Sequence, residues 1–226
     1  MKIGRLVGVA QGILWGALTL NGASMPRLRI TIYDQAHLTR EVSLTAFDQL
    51  GRVLRHVGIA IEIMAGDPAA EEASEFNYEA PPRPGQEREA FCGARRDVAL
   101  QIISHSVPGL APTVLGISSP LARSGLNVRV FSDHVLKAAY WHDRPYPDVL
   151  SYVMAHEIGH VLLRSGQHGG WGLMSSVWRQ SEYARMGRGG VMFFTGDESR
   201  EMRINLGGLV CPEPSAPTGL GVFAIR

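Results

Sequence analysis

The stretch Asp148-Val-Leu-Ser-Tyr-Val-Met-Ala-His-Glu-Ile-Gly-His-Val-Leu-Leu163 decides how this chain folds. It gives the clearest helix prediction in the sequence, and Pro147 precedes it, where the first turn of a helix tolerates proline. His156 and His160 are four residues apart within it. Residues at that spacing lie on the same face of a helix, so the two imidazoles are predicted to project together, one turn apart.

The two histidines and the residue after the first of them indicate metal chemistry. Two imidazole nitrogens one turn apart can bind one tetrahedral metal ion at about 2.0–2.1 Å each. Glu157 lies beside the first ligand and can reach a metal-bound water without binding the metal. The pattern His-Glu-x-x-His therefore supplies two ligands and a general base within a single helix.

A catalytic zinc ion needs a third protein ligand and an open fourth position. His168 is the nearest candidate, eight residues beyond His160. The intervening Ser165-Gly166 can end the helix and return the chain toward the metal. Glu182, on a later predicted helix, is the alternative ligand. We favour His168 because its surroundings are rich in glycine.

The elements around this helix alternate between strands and helices. Residues 66–96 are rich in Pro, Glu and Ala and predict a long surface excursion, and the chain from Gly207 onward is expected to be irregular. Thr195-Gly-Asp-Glu198 matches a capping box that opens the last helix. The predicted strands are 27–33, 59–64, 98–103, 113–118 and 127–131, and the other predicted helices are 39–57, 132–140, 176–186 and 195–205.

Beyond the helix, a glycine-containing turn and His168 are followed by Gly172-Leu173-Met174. Together with the His-Glu-x-x-His helix, this order of residues resembles the metzincin clan of zinc metallopeptidases, in which the third ligand is a His after a Gly turn. The usual clan spacing is His-Glu-x-x-His-x-x-Gly-x-x-His. In this chain Leu163 stands where that glycine is usual, and His168 lies two residues further on.

The resemblance implies an α+β fold: a twisted mixed sheet with a backing helix and an active-site helix, then a small C-terminal subdomain with a Met-containing turn and a terminal helix. Met174 would lie in that turn, beneath the metal and not bound to it. Glu157 would be the general base of peptide hydrolysis. An extended peptide or protein substrate would pair with the edge strand at 115–118. The implied zinc ligands are His156, His160 and His168.

Two other kinds of protein are compatible with the motif. One is a secreted binding protein that keeps a zinc site and does not cleave peptides; Glu157 argues against it, because a structural zinc has no use for an adjacent base. The other is a purely structural zinc module, which fits poorly with three nitrogen ligands and an open fourth position. Trp178 and Tyr183 could line a cleft, although core or surface packing is the simpler interpretation.

The start of the chain has the pattern of a secretory signal. Lys2 and Arg5 precede an uncharged, largely apolar run at 6–20, and Gly22-Ala23-Ser24 supplies the small residues of a cleavage site. The run is shorter than the roughly 20 residues that span a bilayer, so no stable membrane insertion is expected after cleavage. An uncleaved anchor is the alternative. The predicted division is a signal peptide at 1–24 and one metallopeptidase domain at 25–226, secreted or periplasmic.

Composition and cysteine content limit the remaining possibilities. The chain has 226 residues with 45% apolar content, which suits one globular domain. Its 22 basic and 21 acidic residues leave a net charge of +1, so it has no electrostatic footprint for nucleic acid. Export would allow a disulfide between Cys92 and Cys211, and two free buried thiols are the alternative.

Overall fold

A computed structural model describes residues 25–67, 97–120, 127–186, 192–207 and 223–224. The predicted signal peptide, Cys92 and Cys211 lie outside the described residues, as does most of the predicted surface excursion. Within the described ranges, no helix is both long enough and apolar enough to cross a membrane.

Strands and helices follow one another in the predicted order up to the last helix. The central helix, α3 (Tyr146–Leu163), begins two residues before its predicted start and ends at the predicted residue. The described elements are β1 Arg27–Asp34, α1 Arg40–His56, β2 Ala60–Ala65, β3 Asp97–Ile103, β4 Gly116–Ser118, β5 Val128–Phe131, α2 Ser132–Trp141, α3 Tyr146–Leu163, α4 Gln180–Arg185, α5 Gly196–Gly207 and β6 Phe223–Ala224.

The described strands form one mixed sheet in the order β2-β1-β3-β5-β4-β6. The first four strands of that order pair in parallel. β4 is antiparallel to β5, and β6 is antiparallel to β4. The β1-α1-β2 connection forms a βαβ unit with parallel strands, and the predicted α+β architecture with a mixed sheet is confirmed.

The sheet presents an apolar face to the helices. In β1 the alternate residues Leu28, Ile30 and Ile32 are buried, whereas Arg27 and Arg29 are exposed. Successive side chains of a strand point to opposite faces, so the buried set defines the face that meets the core. That face joins the buried sides of α1 and α3 in one continuous hydrophobic cluster.

The helix α3 lies in the centre of this core, and every residue from Val149 to Leu163 is buried. Two of the helices that pack against it are also hydrogen-bonded to it. Gln49 of α1 donates a hydrogen bond of 3.1 Å to the Tyr152 hydroxyl. Asn205 of α5 donates one of 2.9 Å to the Leu162 carbonyl, which is among those that a helix leaves unpaired in its last turn. α1 is therefore the predicted backing helix, and α5 fixes the C-terminal end of α3.

The predicted capping box at the start of α5 is confirmed. The Thr195 amide donates to Glu198 Oε2 at 2.7 Å, and the Glu198 amide donates to Thr195 Oγ1 at 3.2 Å. This reciprocal pair satisfies two amides that a helix start would otherwise leave without partners. The terminal helix therefore begins where its sequence predicts.

The larger differences from the sequence prediction concern β4, α4 and the C-terminal tail. β4 spans Gly116–Ser118 and not 113–118, because the Val114 amide bonds to the Ala111 carbonyl in a turn. The helix predicted at 176–186 is the shorter α4 at 180–185. The tail predicted as irregular contains β6, a pair of residues too short to leave an alternating pattern in the sequence.

Candidate metal centre

The structure brings together the three histidines that the sequence singles out. Each of His156, His160 and His168 offers a ring nitrogen, and these atoms lie within 4.8 Å of one another. The Nε2 atoms of His156 and His160 are 3.0 Å apart. Ligands at about 2.0–2.1 Å in a tetrahedral site stand about 3.3 Å from each other, so the cluster is of the size that holds one metal ion.

Backbone carbonyls fix the orientation of both helical histidines. His156 Nδ1 lies 2.7 Å from the Leu173 carbonyl oxygen, and His160 Nδ1 lies 2.8 Å from that of Ser165. A carbonyl can only accept, so each Nδ1 carries the proton and donates it. Each Nε2 then keeps its lone pair for a metal, which is the usual arrangement around ligating histidines.

The segment that supplies the first of these carbonyls is a tight turn. Gly172 has φ of +80°, a conformation that favours glycine, and the Ser175 amide donates to its carbonyl at 3.3 Å. The Leu173 amide donates to the Phe193 carbonyl at 3.1 Å, which ties the turn to the chain ahead of α5. Met174 follows in this turn and is buried.

Met174 packs against α3 because residue 159, between the two histidines, is glycine. A Cβ atom at Gly159 would lie 2.7 Å from Met174 Sδ and 2.6 Å from Phe194 Cε1. Real Cβ atoms do not approach other atoms so closely. The turn can therefore lie directly against the helix, next to the imidazoles, as the resemblance implies for its Met-containing turn.

The return of the chain to His168 explains the unusual spacing. α3 ends at Leu163, and Arg164 adopts a left-handed conformation with φ of 52°. The chain therefore reverses at Arg164, one position after the usual glycine. The sequence analysis had placed the reversal slightly later, at Ser165-Gly166. The Gln167 amide then bonds to Ser165 Oγ at 3.1 Å, which orders the loop that leads to His168.

Glu157 faces the sheet and is completely buried. Burial raises the pKa of Glu157 to about 8, and the nearby Ser118 hydroxyl offsets this in part. The two side chains do not meet hydrogen-bond geometry, and neither carboxylate oxygen has another partner in the described part of the chain. Gly116 leaves space for the Glu157 side chain, since a Cβ atom at position 116 would lie 3.0 Å from Glu157 Oε1.

The histidines are held in the form that binds metal. Burial, followed by the neighbouring His160, lowers the pKa of His156 well below its usual value. Burial lowers the pKa of His160 to about 4, and it also lowers the pKa of His168. All three imidazoles are therefore neutral near pH 7, and a neutral imidazole can donate a lone pair.

Glu182, the alternative third ligand, has a different role. It lies in the first turn of α4, where its Oε2 accepts from the Arg179 amide and from Ser181 Oγ, each at 2.9 Å. Among the described residues, the His, Cys, Asp and Glu side chains close enough to share a metal ion are the three histidines. The geometry favours His168.

The two aromatic residues that could line a cleft are buried instead. Trp178 donates from Nε1 to the Leu173 carbonyl at 3.2 Å, and its ring meets His156 edge-on with centroids 5.8 Å apart. Tyr183 stacks on His142 at 3.7 Å, and burial raises its pKa to about 12. Both side chains therefore belong to the buried core, in agreement with the simpler interpretation.

Three groups that contact the site residues could not be predicted from the sequence. The Leu173 and Ser165 carbonyls are backbone groups, which every residue possesses. Ser118 belongs to the segment predicted to pair with substrate, but its approach to Glu157 depends on how β4 packs against α3. Only the tertiary structure reveals these contacts.

No protein-family model and no curated protein matches this chain. Among solved structures, the crystal structure of archaemetzincin from Methanopyrus kandleri is similar to it. The two sequences are 16% identical, the alignment covers 83% of this chain and 99% of that chain, and the TM-score is 0.48. At this level of similarity, functional inference depends on the geometry of the site itself.

The contact at Gly159 predicts the effect of adding one methyl group. Gly159→Ala gains about 1 kcal/mol in helix propensity but forces a shift of Phe194 or Met174, and such overpacking costs about 1–3 kcal/mol. We expect a net fall in the free energy of unfolding, measured by denaturant titration. Gly196→Ala is the control, because a Cβ there meets nothing within 4 Å. Equal stability changes in the two variants would contradict the close approach.

Proposed function

We propose that this protein is a zinc-dependent endopeptidase. His156, His160 and His168 would hold the metal, and Glu157 would be the general base. The observation that supports this most directly is the convergence of three neutral imidazoles beside a buried carboxylate that has no hydrogen-bond partner among the described residues. Buried polar groups left without partners are costly, and they are concentrated at functional sites.

The residues present fit a zinc ion. Imidazole nitrogen is a preferred zinc donor, and two of the three rings have Nδ1 directed at a carbonyl. The buried carboxyl of Glu157 has no hydrogen-bond partner among the described residues, and a cation beside it would compensate for its negative charge. Three protein ligands leave a fourth position, which distinguishes a catalytic zinc site from a closed structural one.

The proposed reaction is hydrolysis of a peptide bond in an extended substrate. Bound zinc would supply Lewis-acid chemistry, activating a water molecule and polarising the scissile carbonyl. Glu157 would accept a proton from the attacking water at a carboxylate oxygen and pass it to the leaving amine. Ser118 would help to position that carboxylate, and the backbone of β4 would align the substrate as an added strand.

A zinc-containing binding protein without proteolytic activity is the second candidate. It would use the same three ligands and the same strand edge to bind a peptide. Glu157 favours the enzyme, because a binding site has no need for a buried carboxylate beside the metal position. Hydrolysis measured with and without a chelator separates the two candidates.

We also propose that the chain is exported, which rests on the pattern of residues 1–24. The basic start, the apolar run and the small residues that follow predict a mature N-terminus near Met25. N-terminal sequencing of protein secreted by an expression host measures this directly. An intact Met1 on the exported material would instead favour an uncleaved anchor.

Metal binding tests the identity of the third ligand. We expect about one zinc ion per chain in the parent and a large loss of zinc affinity in His168→Ala, because loss of a direct ligand leaves only two nitrogen donors. Elemental analysis and competition with a chromogenic chelator measure both. His105→Ala, at an exposed position, is the matched control and should keep the parent's zinc content. Unchanged affinity in His168→Ala would exclude it as a ligand.

The role of Glu157 separates enzyme from binder. Glu157→Gln keeps the size of the side chain and removes its ability to accept the proton. Since proton transfer by a positioned side chain contributes about 10²–10⁴-fold, the turnover number should fall by at least about 100-fold. Zinc content should match that of the parent, because this residue lies beside the ligands without being one. A variant that cleaves a peptide as fast as the parent would refute the assignment.

A further inference from the structure

The outer edge of β4 is already paired in this structure. β5 occupies one edge of β4, and β6 occupies the other, with Ser118 opposite Phe223 and Ile117 opposite Ala224. The sheet order β2-β1-β3-β5-β4-β6 puts β6 beyond β4, on the side away from the rest of the sheet. The backbone groups that β4 presents there are bonded to the chain's own residues.

This edge belongs to the strand that contacts the candidate metal centre. Gly116 and Ser118 both approach Glu157, the first closely enough that a Cβ would lie 3.0 Å from Oε1. A peptide that adds a strand to β4 would need the backbone positions at Ile117 and Ser118. β6 uses those same positions, and two strands cannot pair with one edge at the same time.

We infer that β6 holds the peptide-binding edge of β4 and competes with an extended substrate for it. The inference rests on the proposed function, because it assigns to β4 the role of substrate-binding strand. Among the described residues, β6 pairs with β4 through Phe223 and Ala224, a short contact with few hydrogen bonds. A longer extended peptide can form more of them, and β6 therefore acts as a displaceable internal competitor.

Removal of β6 tests the competition in steady-state kinetics. If β6 is paired with β4 in about 80% of the molecules, about one fifth of the molecules can bind substrate at that edge. The apparent KM of the full chain is then raised about fivefold. A chain that ends at Val222 should therefore show a KM lower than that of the full chain by about that factor, with unchanged kcat. Equal KM values for the two chains would overturn the inference.

Two full-length variants show whether backbone pairing is responsible. The double substitution Phe223→Pro with Ala224→Pro removes the amide donors of β6, because proline has no backbone N–H. It should reproduce the low KM of the shortened chain. The control, Phe223→Val with Ala224→Val, keeps both amides and strand-forming residues and should retain the KM of the parent. Identical KM values in the proline and valine variants would contradict the proposed pairing.

A binding experiment separates failure of this inference from failure of the proposed enzyme function. The probe is a fluorescent peptide with the sequence of residues 219–226, and Glu157→Gln is present in both proteins so that no probe is cleaved. Anisotropy should show binding at least about fivefold tighter to the chain that ends at Val222 than to the full chain. A probe with proline at the positions of Phe223 and Ala224 should not bind. Equal affinity of the first probe for both chains would overturn the competition whether or not either protein hydrolyses peptides.

Discussion

The burial of α3 is the constraint on which the rest of the structure depends. A helix that is buried from Val149 to Leu163 has to place its polar side chains in the core, where a polar group without a partner is costly. The carbonyls of Leu173 and Ser165 bond to the two imidazoles. The chain that follows the helix therefore contacts it at two points, first at Ser165 directly after the helix end and again at Leu173, and this one segment satisfies both core packing and the metal centre.

Two different parts of the chain pack on either side of the α3 surface that carries His156 and His160. At about 100° per residue, Glu157 points about 80° to one side of the midpoint between His156 and His160, and Gly159 points about 80° to the other. β4 approaches the Glu157 side, and the turn at Met174 approaches the Gly159 side. A glycine lies at each of these two contacts, Gly116 in the strand and Gly159 in the helix. The absence of two side chains thus sets how closely the sheet and the turn enclose the histidines.

Features encoded by short patterns could be predicted from the sequence, whereas those decided by backbone contacts could not. The helix at 148–163 and the capping box at Thr195 follow from local spacing, and the structure contains both. The strand pair between β4 and β6 depends on contacts between distant segments, and its two residues form no pattern. The reversal at Arg164 was missed because a left-handed residue is expected to be glycine, and the sequence offered Gly166 nearby.

The position of His168 follows from two fixed points and not from its distance to His160. At one end of its loop, the Ser165 carbonyl accepts from His160 Nδ1 at 2.8 Å. At the other end, the Gly169 amide donates to the Met174 carbonyl at 2.8 Å. Only three residues lie between these anchors, so His168 has little freedom once both bonds form. The left-handed Arg164 costs about 1–2 kcal/mol relative to an ordinary helical residue, and the two anchored ends offset that cost. Arg164 stands one position after the usual glycine, so one of the two extra residues between the second and third histidines precedes the reversal and the other lies in the anchored loop that leads to His168.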